Sequence, residues 1–547
     1  MKDYDSKVVN GNLLRSMIIS GANNLFNHYP EVDALNVFPV PDGDTGTNMN
    51  LTITSGSKEI MNLNTKNVYD VAKSFSRGLL MGARGNSGVI LSQIFRGFAQ
   101  GLAGKEEASI EEFALAWKKG AEVAYKAVMK PVEGTILTVI RESAEELMDR
   151  LDEIDSIGKA MEVLLERGRT SLAHTPELLP VLKEVGVVDS GGSGLVYVFE
   201  GILFALKGEV VERKQVTISR TSDEIEEEAK VIEEEKGYCV EFILKLDSKK
   251  KKFNQERVNT ILESAGRIIR LTKTEDEIQV CVHTQKPGVV INLSQPYGEF
   301  TEIKVENMEN GHHHFLDERK IEPEKPKEWV EMAVISTSVG EGLNALFKSL
   351  NVDYVVSGGQ TMNPSTEDFV EAIKTVHARN VFILPNNKNI VMAAEQACMV
   401  SKDCKCYVIP TTTIPQGLVA CMVYNPEDTA EDNETNMRES IGGVKSGQIT
   451  FSIKDTKIDG VNIKKDEFMG IFNGKIVNCH RNKNTTLKEL VKKMIDEDSS
   501  IVTIIYGEDV SESEVQLLAD YISEKYSIEV EVHNGGQPVY SYFVGVE

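Results

Sequence analysis

Residues 36–48 read NVFPVPDGDTGTN and carry the strongest signal in the chain. Two carboxylates, Asp42 and Asp44, stand two residues apart across a glycine, and Pro39 and Pro41 stiffen the approach to them. Carboxylate oxygens in this arrangement can bind one Mg²⁺ ion or a pair, with waters and nucleotide phosphates completing the coordination. An ordinary Asp-Gly turn explains the same spacing. The stretch therefore predicts a magnesium site, with a plain turn as the alternative.

Helical periodicity surrounds this stretch. Apolar residues recur at helical spacing over residues 14–26 and 68–79, and Ser109 with Glu112 forms a capping box ahead of a further apolar stripe. We therefore predict a helical region up to about residue 207. Runs rich in glycine and small polar residues separate the helices, and such loops could line one rim of the domain. They lie at 41–48, 82–88, 133–135 and 189–194.

The run GARGNSG at residues 82–88 leads directly into a helical stripe. Free backbone N–H groups at a helix start, with Ser87 as the cap, form an anion site suited to phosphate. The same residues also fit a simple helix cap. A Walker A motif is absent from the sequence, because residues 470–475 lack its spacing and the following Ser or Thr. No glycine-rich loop follows a first strand, as a dinucleotide-binding fold would require.

Two charge-rich stretches, 221–236 and 321–327, have the composition of linkers and divide the 547 residues into three regions. In the middle region, two strands of alternating apolar residues flank a helical stretch at 255–269. Short apolar runs alternate with helical patterns in the last region, which is typical of an α/β fold. The fold class is therefore multidomain. The predicted parts are an all-α domain at 1–207, a charged linker at 208–236, a small α/β domain at 237–320 and an α/β domain at 331–547.

Composition excludes several classes of function. The formal net charge is −24 at pH 7, from 60 basic and 84 acidic residues, so the chain would be repelled by nucleic acid and anionic lipid. No apolar run approaches the ~20 residues that cross a bilayer, and the polar start has no signal-peptide pattern. The 7 cysteines are sparse and odd in number, which favours a reducing compartment. We expect a cytoplasmic protein.

A family resemblance is carried by four blocks in a fixed order: NVFPVPDGDTGTNM at 36–49, GARGNSGVILSQIFRG at 82–97, PVEGTILTVIRE at 131–142 and VGVVDSGGSGL at 185–195. The first region is similar to the nucleotide-binding L subunit (DhaL) of dihydroxyacetone kinases. With the following α/β regions and the terminus GGQPVYSYFVGVE, the whole chain resembles the catalytic subunit of bacterial fatty acid kinase. The resemblance implies a barrel of antiparallel helices that binds ATP and two Mg²⁺ ions at one end.

The resemblance also implies the site residues. Asp42 and Asp44 would be catalytic and would bind Mg²⁺ together with Asn36, which stands where dihydroxyacetone kinases have a third aspartate. Thr45 stands where those relatives have histidine, so no imidazole is available there as a base. The residues expected to bind the nucleotide are Thr45, Thr47, Asn48, Asn86, Ser87, Gly88, Gly134, Thr135, Asp189 and Gly191.

The reaction that this resemblance implies is phosphoryl transfer from ATP to a fatty acid carboxylate, giving acyl phosphate and ADP. The acid would be presented by a separate fatty-acid-binding protein of FakB type, and the family acts as a homodimer. A carboxylate is already ionised at neutral pH and needs no general base, which agrees with Thr45. The alternatives are a small-polyol kinase of the dihydroxyacetone type, for which we identify no histidine-bearing partner domain, and a non-catalytic regulatory scaffold.

Cys239, Cys281 and His283 form a second constellation, in the predicted strands of the middle region. Cys281 and His283 are two residues apart, so their side chains leave the same face of a strand. If the two strands are neighbours, the three side chains can hold Zn²⁺ with one position open; two buried cysteines beside a strand-end histidine are the alternative. Fatty acid kinases carry a metal-binding cysteine and two histidines in this domain. The resemblance therefore implies a zinc site, with Cys281 replacing the first histidine.

Overall fold

The chain divides into two compact units, one formed by residues 1–214 together with 329–547 and the other by residues 215–328. No helix within the described ranges combines the length and the apolar character needed to cross a membrane. The computed structural model describes residues 3–36, 43–214, 238–246, 258, 262, 267–273, 277–284, 286–307, 329–359 and 362–547.

The amino-terminal part of the first unit is helical, as the apolar periodicity predicts. The predicted capping box is confirmed: the Glu112 backbone N–H donates to Ser109 Oγ at 3.2 Å, and the Ser109 N–H donates to Glu112 Oε2 at 2.9 Å. The elements are β1 (Val8–Asn10), α1 (Gly11–Ala34), α2 (Thr45–Met61), α3 (Val68–Met81), α4 (Gly85–Gly101), β2 (Glu107–Ser109), α5 (Ile110–Ala127), α6 (Ile136–Asp149), α7 (Ile157–Leu178), α8 (Pro180–Val185) and α9 (Ser190–Leu206).

An aromatic cluster in the core ties these helices together. The ring of Trp117 on α5 is buried, and its centroid lies 4.7 Å from Phe98 and 5.7 Å from Phe95, both on α4. On α9, Phe199 packs against the same ring at 5.2 Å. Burying one large apolar side chain contributes about 1.5–3 kcal/mol, so the cluster holds α4, α5 and α9 in fixed relative positions. The starts of these helices are fixed with them.

The second unit contains a four-stranded antiparallel sheet, with β3 (Tyr238–Leu246) between β5 (Glu277–Thr284) and β6 (Gly298–Asn307). The edge strand β4 (Arg267–Lys273) pairs with β5, and α10 (Pro287–Ser294) precedes β6. One prediction is wrong here: the helical stretch expected at 255–269 does not reach its predicted end, because residues 267–269 belong to β4. Pairing with β5 outweighs the local helical period. Val258 and Leu262 are helical and buried, and the rest of 255–266 lies outside the described residues.

The carboxyl-terminal part of the first unit contains two larger sheets. One is parallel, with the order β10-β9-β7-β8, and the other is mixed, with the order β15-β14-β11-β18-β16-β17. The strands predicted near residues 333, 354, 381, 407 and 502 are confirmed. The elements are β7 (Val330–Ser338), α11 (Glu341–Ser349), β8 (Tyr354–Ser357), α12 (Thr366–Val376), β9 (Ala378–Leu384), α13 (Val391–Val400), β10 (Lys405–Val408), α14 (Ile414–Val423), α15 (Ala430–Ser440), β11 (Lys445–Phe451), β12 (Thr456–Ile458), β13 (Val461–Ile463), β14 (Phe468–Phe472), β15 (Lys475–His480), α16 (Lys483–Met494), β16 (Ile501–Tyr506), α17 (Glu512–Tyr526), β17 (Glu529–Asn534) and β18 (Tyr540–Val546).

The predicted fold class is confirmed, with a helical first part followed by α/β parts. Parallel strands run in the same direction, so their carboxyl ends all lie at one edge of the sheet, and the helices that join them cover its faces. In the parallel sheet, this edge is formed by the residues that follow β7, β8, β9 and β10. It is the part of the α/β fold that bears on the functional site.

Candidate functional site

Asp44 lies at the start of α2 as its N-terminal capping residue, but its side chain makes no capping hydrogen bond to the helix. Its Oδ2 instead accepts a hydrogen bond of 2.5 Å from Nδ2 of Asn363, in the carboxyl-terminal part. The side chain of Asn36 is close by, since a Cβ built on Gly43 would lie 3.2 Å from its Nδ2. Asp42 lies outside the described residues. The Asp44 carboxylate therefore points from the helical part towards the α/β part.

Asp33, near the end of α1, organises the first turn of α2 and was missed by the sequence analysis. Its Oδ1 accepts the backbone N–H groups of Gly46 at 2.6 Å and Thr47 at 3.1 Å, and its Oδ2 accepts the Thr47 hydroxyl at 2.7 Å. Burial raises the pKa of Asp33, against these hydrogen bonds, which lower it. Because the Thr47 hydroxyl is used by Asp33, this threonine positions the helix start. The sequence did contain a signal for this role, because Asp33 is an acidic residue just before the motif that begins at Asn36.

The second glycine-rich loop lies beside the first. The chain turns at Gly85, whose φ is +58°, and α4 begins there with Arg84 as the capping residue. The prediction that Ser87 caps this helix is wrong, because Ser87 already lies inside the first turn. The Arg84 backbone N–H donates to Thr52 Oγ1 of α2 at 3.2 Å, and a Cβ on Gly85 would lie 2.6 Å from Asn48 Nδ2. The starts of α2 and α4 are therefore in direct contact.

The loops before α6 and α9 meet in the same way. Thr135 caps α6, its Oγ1 accepting the Leu137 N–H at 3.4 Å. Asp189 caps α9, its Oδ2 accepting the Gly192 N–H at 2.7 Å, and it also accepts a backbone hydrogen bond from Ile136, the first residue of α6. Burial raises the pKa of Asp189 to about 6, although both hydrogen bonds lower it. Of the other two predicted residues here, Gly134 precedes Thr135 and Gly191 lies in the first turn of α9.

These two pairs of helix starts are joined through α2 and α9. A Cβ on Gly194, in the first turn and a half of α9, would lie 2.7 Å from Met49 Sδ on α2. The starts of α2, α4, α6 and α9 are thus linked at one end of the helical part. Several first-turn N–H groups are already accepted by Asp33, Thr135 and Asp189. Each helix start also presents a positive dipole end, so the four together favour an anion with several charges.

The α/β part forms the opposite wall of this end. Lys454 Nζ donates to the backbone oxygen of Asn36 at 2.6 Å, and Asn86 Nδ2 donates to Asn389 Oδ1 at 3.4 Å. Between the walls is a cavity of about 550 Å³, a size common for small-ligand sites. Sequence reasoning missed every residue of this second wall. The cavity is lined from the helical side by Asn36, Asp44 and Thr45 and from the α/β side by residues that include Lys388, Asn389, Thr412 and Gln416.

In the second unit, Cys239, Cys281 and His283 lie together. The strands β3 and β5 are neighbours, and Cys239 stands opposite His283 in the antiparallel register. The Sγ atoms of Cys239 and Cys281 are 3.7 Å apart, and one ligand atom from each of the three residues lies within 4.8 Å of the others. The hydrogen bond with Cys239 and burial raise the pKa of the Cys281 thiol. Glu241, which is 1% exposed and stands opposite Cys281, was missed by the sequence analysis.

Comparisons with known proteins cover nearly the entire chain. Residues 333–547 match the C-terminal domain model of the FakA-like fatty acid kinase family, residues 235–315 match the middle domain of the same family, and residues 39–204 match the DAK2 domain. Protein YloV of Bacillus subtilis (strain 168) is 48% identical over 551 residues, which cover 99% of this chain and 100% of YloV.

Two solved structures are similar to parts of the chain at lower sequence identity. A fatty-acid-binding DegV family protein from Thermus thermophilus has 14% identity and a TM-score of 0.31, over 40% of this chain and 100% of that one. The dihydroxyacetone kinase of C. freundii in complex with AMP-PNP and Mg²⁺ has 17% identity and a TM-score of 0.29, over 36% of this chain and 34% of that one. TM-scores this low carry no functional conclusion.

Proposed function

Because this chain belongs to the FakA-like family of fatty acid kinases, we propose that it transfers the γ-phosphoryl group of ATP to the carboxylate of a fatty acid. The products would be an acyl phosphate and ADP. The observation that carries the proposal is the linkage of four helix starts at one end of the helical part, with Asp44, at the start of α2, lining a cavity. The match of residues 39–204 to the DAK2 domain, which dihydroxyacetone kinases share, supports a kinase.

We assign the nucleotide phosphates to the linked helix starts. The remaining backbone N–H groups there, with the side-chain amides of Asn48 and Asn86, would bind phosphate oxygens. The Thr135 hydroxyl already donates to the backbone oxygen of Val132 at 2.8 Å, so Thr135 would position its loop. Asp44, together with Asp42 two residues before it and the side-chain oxygen of Asn36, would offer the hard ligands that Mg²⁺ prefers. When bound, Mg²⁺ would neutralise phosphate charge and orient the transferred group.

Binding the acceptor carboxylate requires its negative charge to be neutralised, but its reaction requires no proton transfer. It is ionised at neutral pH, so it needs no base, and Thr45 offers none. Its charge must nevertheless approach the phosphates and Asp44. Two unit charges 4 Å apart repel each other by about 4 kcal/mol at an effective dielectric constant of ~20. The helix starts reduce this repulsion on the nucleotide side, and the α/β wall has to do so on the acceptor side.

The lining of the cavity supports a carrier for the acyl chain. Amide and hydroxyl side chains dominate both walls, from Asn36 and Thr45 on one side to Asn389 and Thr412 on the other. An acyl chain buried among such groups would leave their hydrogen bonds unmade. We therefore propose that only the carboxyl end of the acid enters, while a separate fatty-acid-binding protein holds the chain.

We also propose that Cys239, Cys281 and His283 hold Zn²⁺ in the second unit. Two sulfur ligands and an imidazole nitrogen within 4.8 Å of one another suit a tetrahedral zinc site. Glu241, buried on the same face of the sheet, is placed to act as a fourth ligand or to orient one of the three. Because the site joins two strands of the sheet, its contribution would be to stability.

Acyl phosphate formation tests the kinase proposal. The full chain is incubated with Mg-ATP and oleate on a purified bacterial fatty-acid-binding protein, and acyl phosphate is trapped with hydroxylamine. We expect product from the wild type and a loss of at least about a hundredfold in Asp44→Asn, the scale of removing one electrostatic group from an active site. Asp149→Asn, at the far end of α6, should retain full activity. A wild type that forms no acyl phosphate, or an Asp44→Asn variant with full activity, would contradict the proposal.

A further inference from the structure

The α/β part contacts the very loops that we assign to the nucleotide. Arg84 Nη1, from the loop before α4, donates to the backbone oxygen of Asn363 at 2.8 Å, and the Asn363 side chain in turn donates to Asp44. Arg84 also lies 3.8 Å from the carboxylate of Asp368, on α12. Asp44, at the start of α2, and the second glycine-rich loop are thus held by one segment of the α/β part.

Further contacts, which are buried, hold the helical part and the α/β part together next to these loops. Gln93 on α4 donates from Nε2 to Oε1 of Gln396 on α13 at 2.6 Å, and both side chains are buried. The backbone N–H of Thr366 donates to the backbone oxygen of Ala83 at 3.1 Å. Since buried polar groups must be paired, separating the two surfaces would expose or orphan several of them. The two walls of the cavity are therefore parts of one packed unit.

The α/β wall is formed by the carboxyl-end edge of the parallel sheet. Lys388 and Asn389 follow β9, and Thr412 and Gln416 follow β10, the strand beside it. This edge is where open α/β sheets bind ligands. Among the described residues that line the cavity, Lys388 supplies the side-chain cation, and it lies on the wall opposite Asp44. An ammonium group there is what an anionic acceptor would need as it approaches the phosphates.

We propose that this cavity is the acceptor half of the transfer site and that Lys388 binds the carboxylate to be phosphorylated. The inference deepens the proposed function and rests on it. The carboxylate oxygen forms a bond to the γ-phosphorus while the bond from that phosphorus to the β,γ-bridging oxygen breaks, and ADP leaves with the electron pair. No proton moves, so the role of Lys388 is charge neutralisation and positioning. The α/β part would then supply the acceptor side of the active site, while the helical part supplies the nucleotide side.

Lys388→Gln tests this inference with the oleate-loaded carrier and the trapping assay described above. Lys388 is exposed and lines the cavity, so the variant should fold, and thermal unfolding of the purified variant checks this. Loss of one charged hydrogen bond to the acceptor should lower kcat/KM for the loaded carrier by about tenfold to a hundredfold, and Lys388→Arg should restore part of it. The Kd for Mg-ADP, measured by calorimetry, should not change. Lys402→Gln, before the amino end of β10 at the opposite edge of the same sheet, is the matched control.

The outcomes separate the inference from the proposal beneath it. If the wild type makes acyl phosphate and Lys388→Gln is as active as Lys402→Gln, the acceptor role is wrong while the kinase proposal stands. If Lys388→Gln instead weakens Mg-ADP binding at an unchanged KM for the carrier, the lysine belongs to the nucleotide site and the inference is overturned. If the wild type makes no acyl phosphate, both fall together.

Discussion

Replacing Gly85 with alanine adds a single atom, the Cβ, at the start of α4, where the four helix starts are linked. Gly85 opens α4 with a φ of +58°, a conformation in which an L residue is strained. Its added Cβ would lie 2.6 Å from Nδ2 of Asn48, the buried amide that we assign to a phosphate oxygen. The variant therefore combines a backbone penalty with a displacement of one proposed ligand-binding group.

The size of each effect follows from the geometry. The left-handed conformation costs an alanine about 1–2 kcal/mol, which lowers stability whatever surrounds it. To reach ordinary contact at 3.4 Å, the Asn48 amide has to move by about 0.8 Å. A hydrogen bond of ~2.9 Å lengthened by that amount is no longer formed. Hydrogen bonds to charged groups contribute about 1.5–3 kcal/mol, so nucleotide affinity should fall by about tenfold or more.

Gly104→Ala separates the two effects. Gly104 also has a positive φ, of +76°, but a Cβ there meets nothing within 4 Å. Gly104→Ala should show the backbone penalty alone, and Gly85→Ala should lose at least as much stability in thermal unfolding of the full chain. In calorimetric titration with Mg-ADP, only Gly85→Ala should bind more weakly than the wild type. Equal nucleotide affinity in the two variants would refute the assignment of Asn48 and its helix start to the phosphates.

Two further predictions concern Asp189 and the zinc site. Burial raises the pKa of Asp189 to about 6 in the folded protein, so the folded state binds this proton more tightly than the unfolded state, and stability from this group grows as pH falls from about 7 through about 6 towards 4. Thermal unfolding against pH should show this gain in the wild type and a smaller one in Asp189→Asn; identical pH profiles would contradict the burial argument. Cys239→Ser should remove zinc from freshly purified full-length protein, as measured by elemental analysis, because a thiolate ligand is lost. Cys421→Ser, a buried cysteine of α14, should keep it, and equal zinc in both variants or none in the wild type would count against the site.

Local patterns were enough to predict much of the fold and to single out the three residues, Asn36, Asp44 and Thr45, that line one wall of the candidate site. The capping box at Ser109 and Glu112 depends only on residues within one helical turn, and the strands near residues 333 and 381 depend on short apolar runs. The residues at which helices begin were predicted less well. Ser87 has the residue type of a helix cap, but α4 already begins at Gly85, where the chain turns. At 255–269 the helical period was real in the sequence, but pairing with β5 decided the structure of its last residues.

The second wall could not be predicted because it depends on how two parts of the chain dock. Asp44 and Asn363 are 319 residues apart in the sequence, and nothing in the spacing of either motif refers to the other. The same docking buries a glutamine pair between α4 and α13, at a different place from the contact of Asp44 with Asn363. Docking at that point has a chemical consequence. In the proposed reaction, four helix ends would stabilise the nucleotide phosphates, and the edge that carries Lys388 would attract the second anion. Joining both surfaces in one unit would then give the chain the site for two anions that phosphoryl transfer to a carboxylate requires.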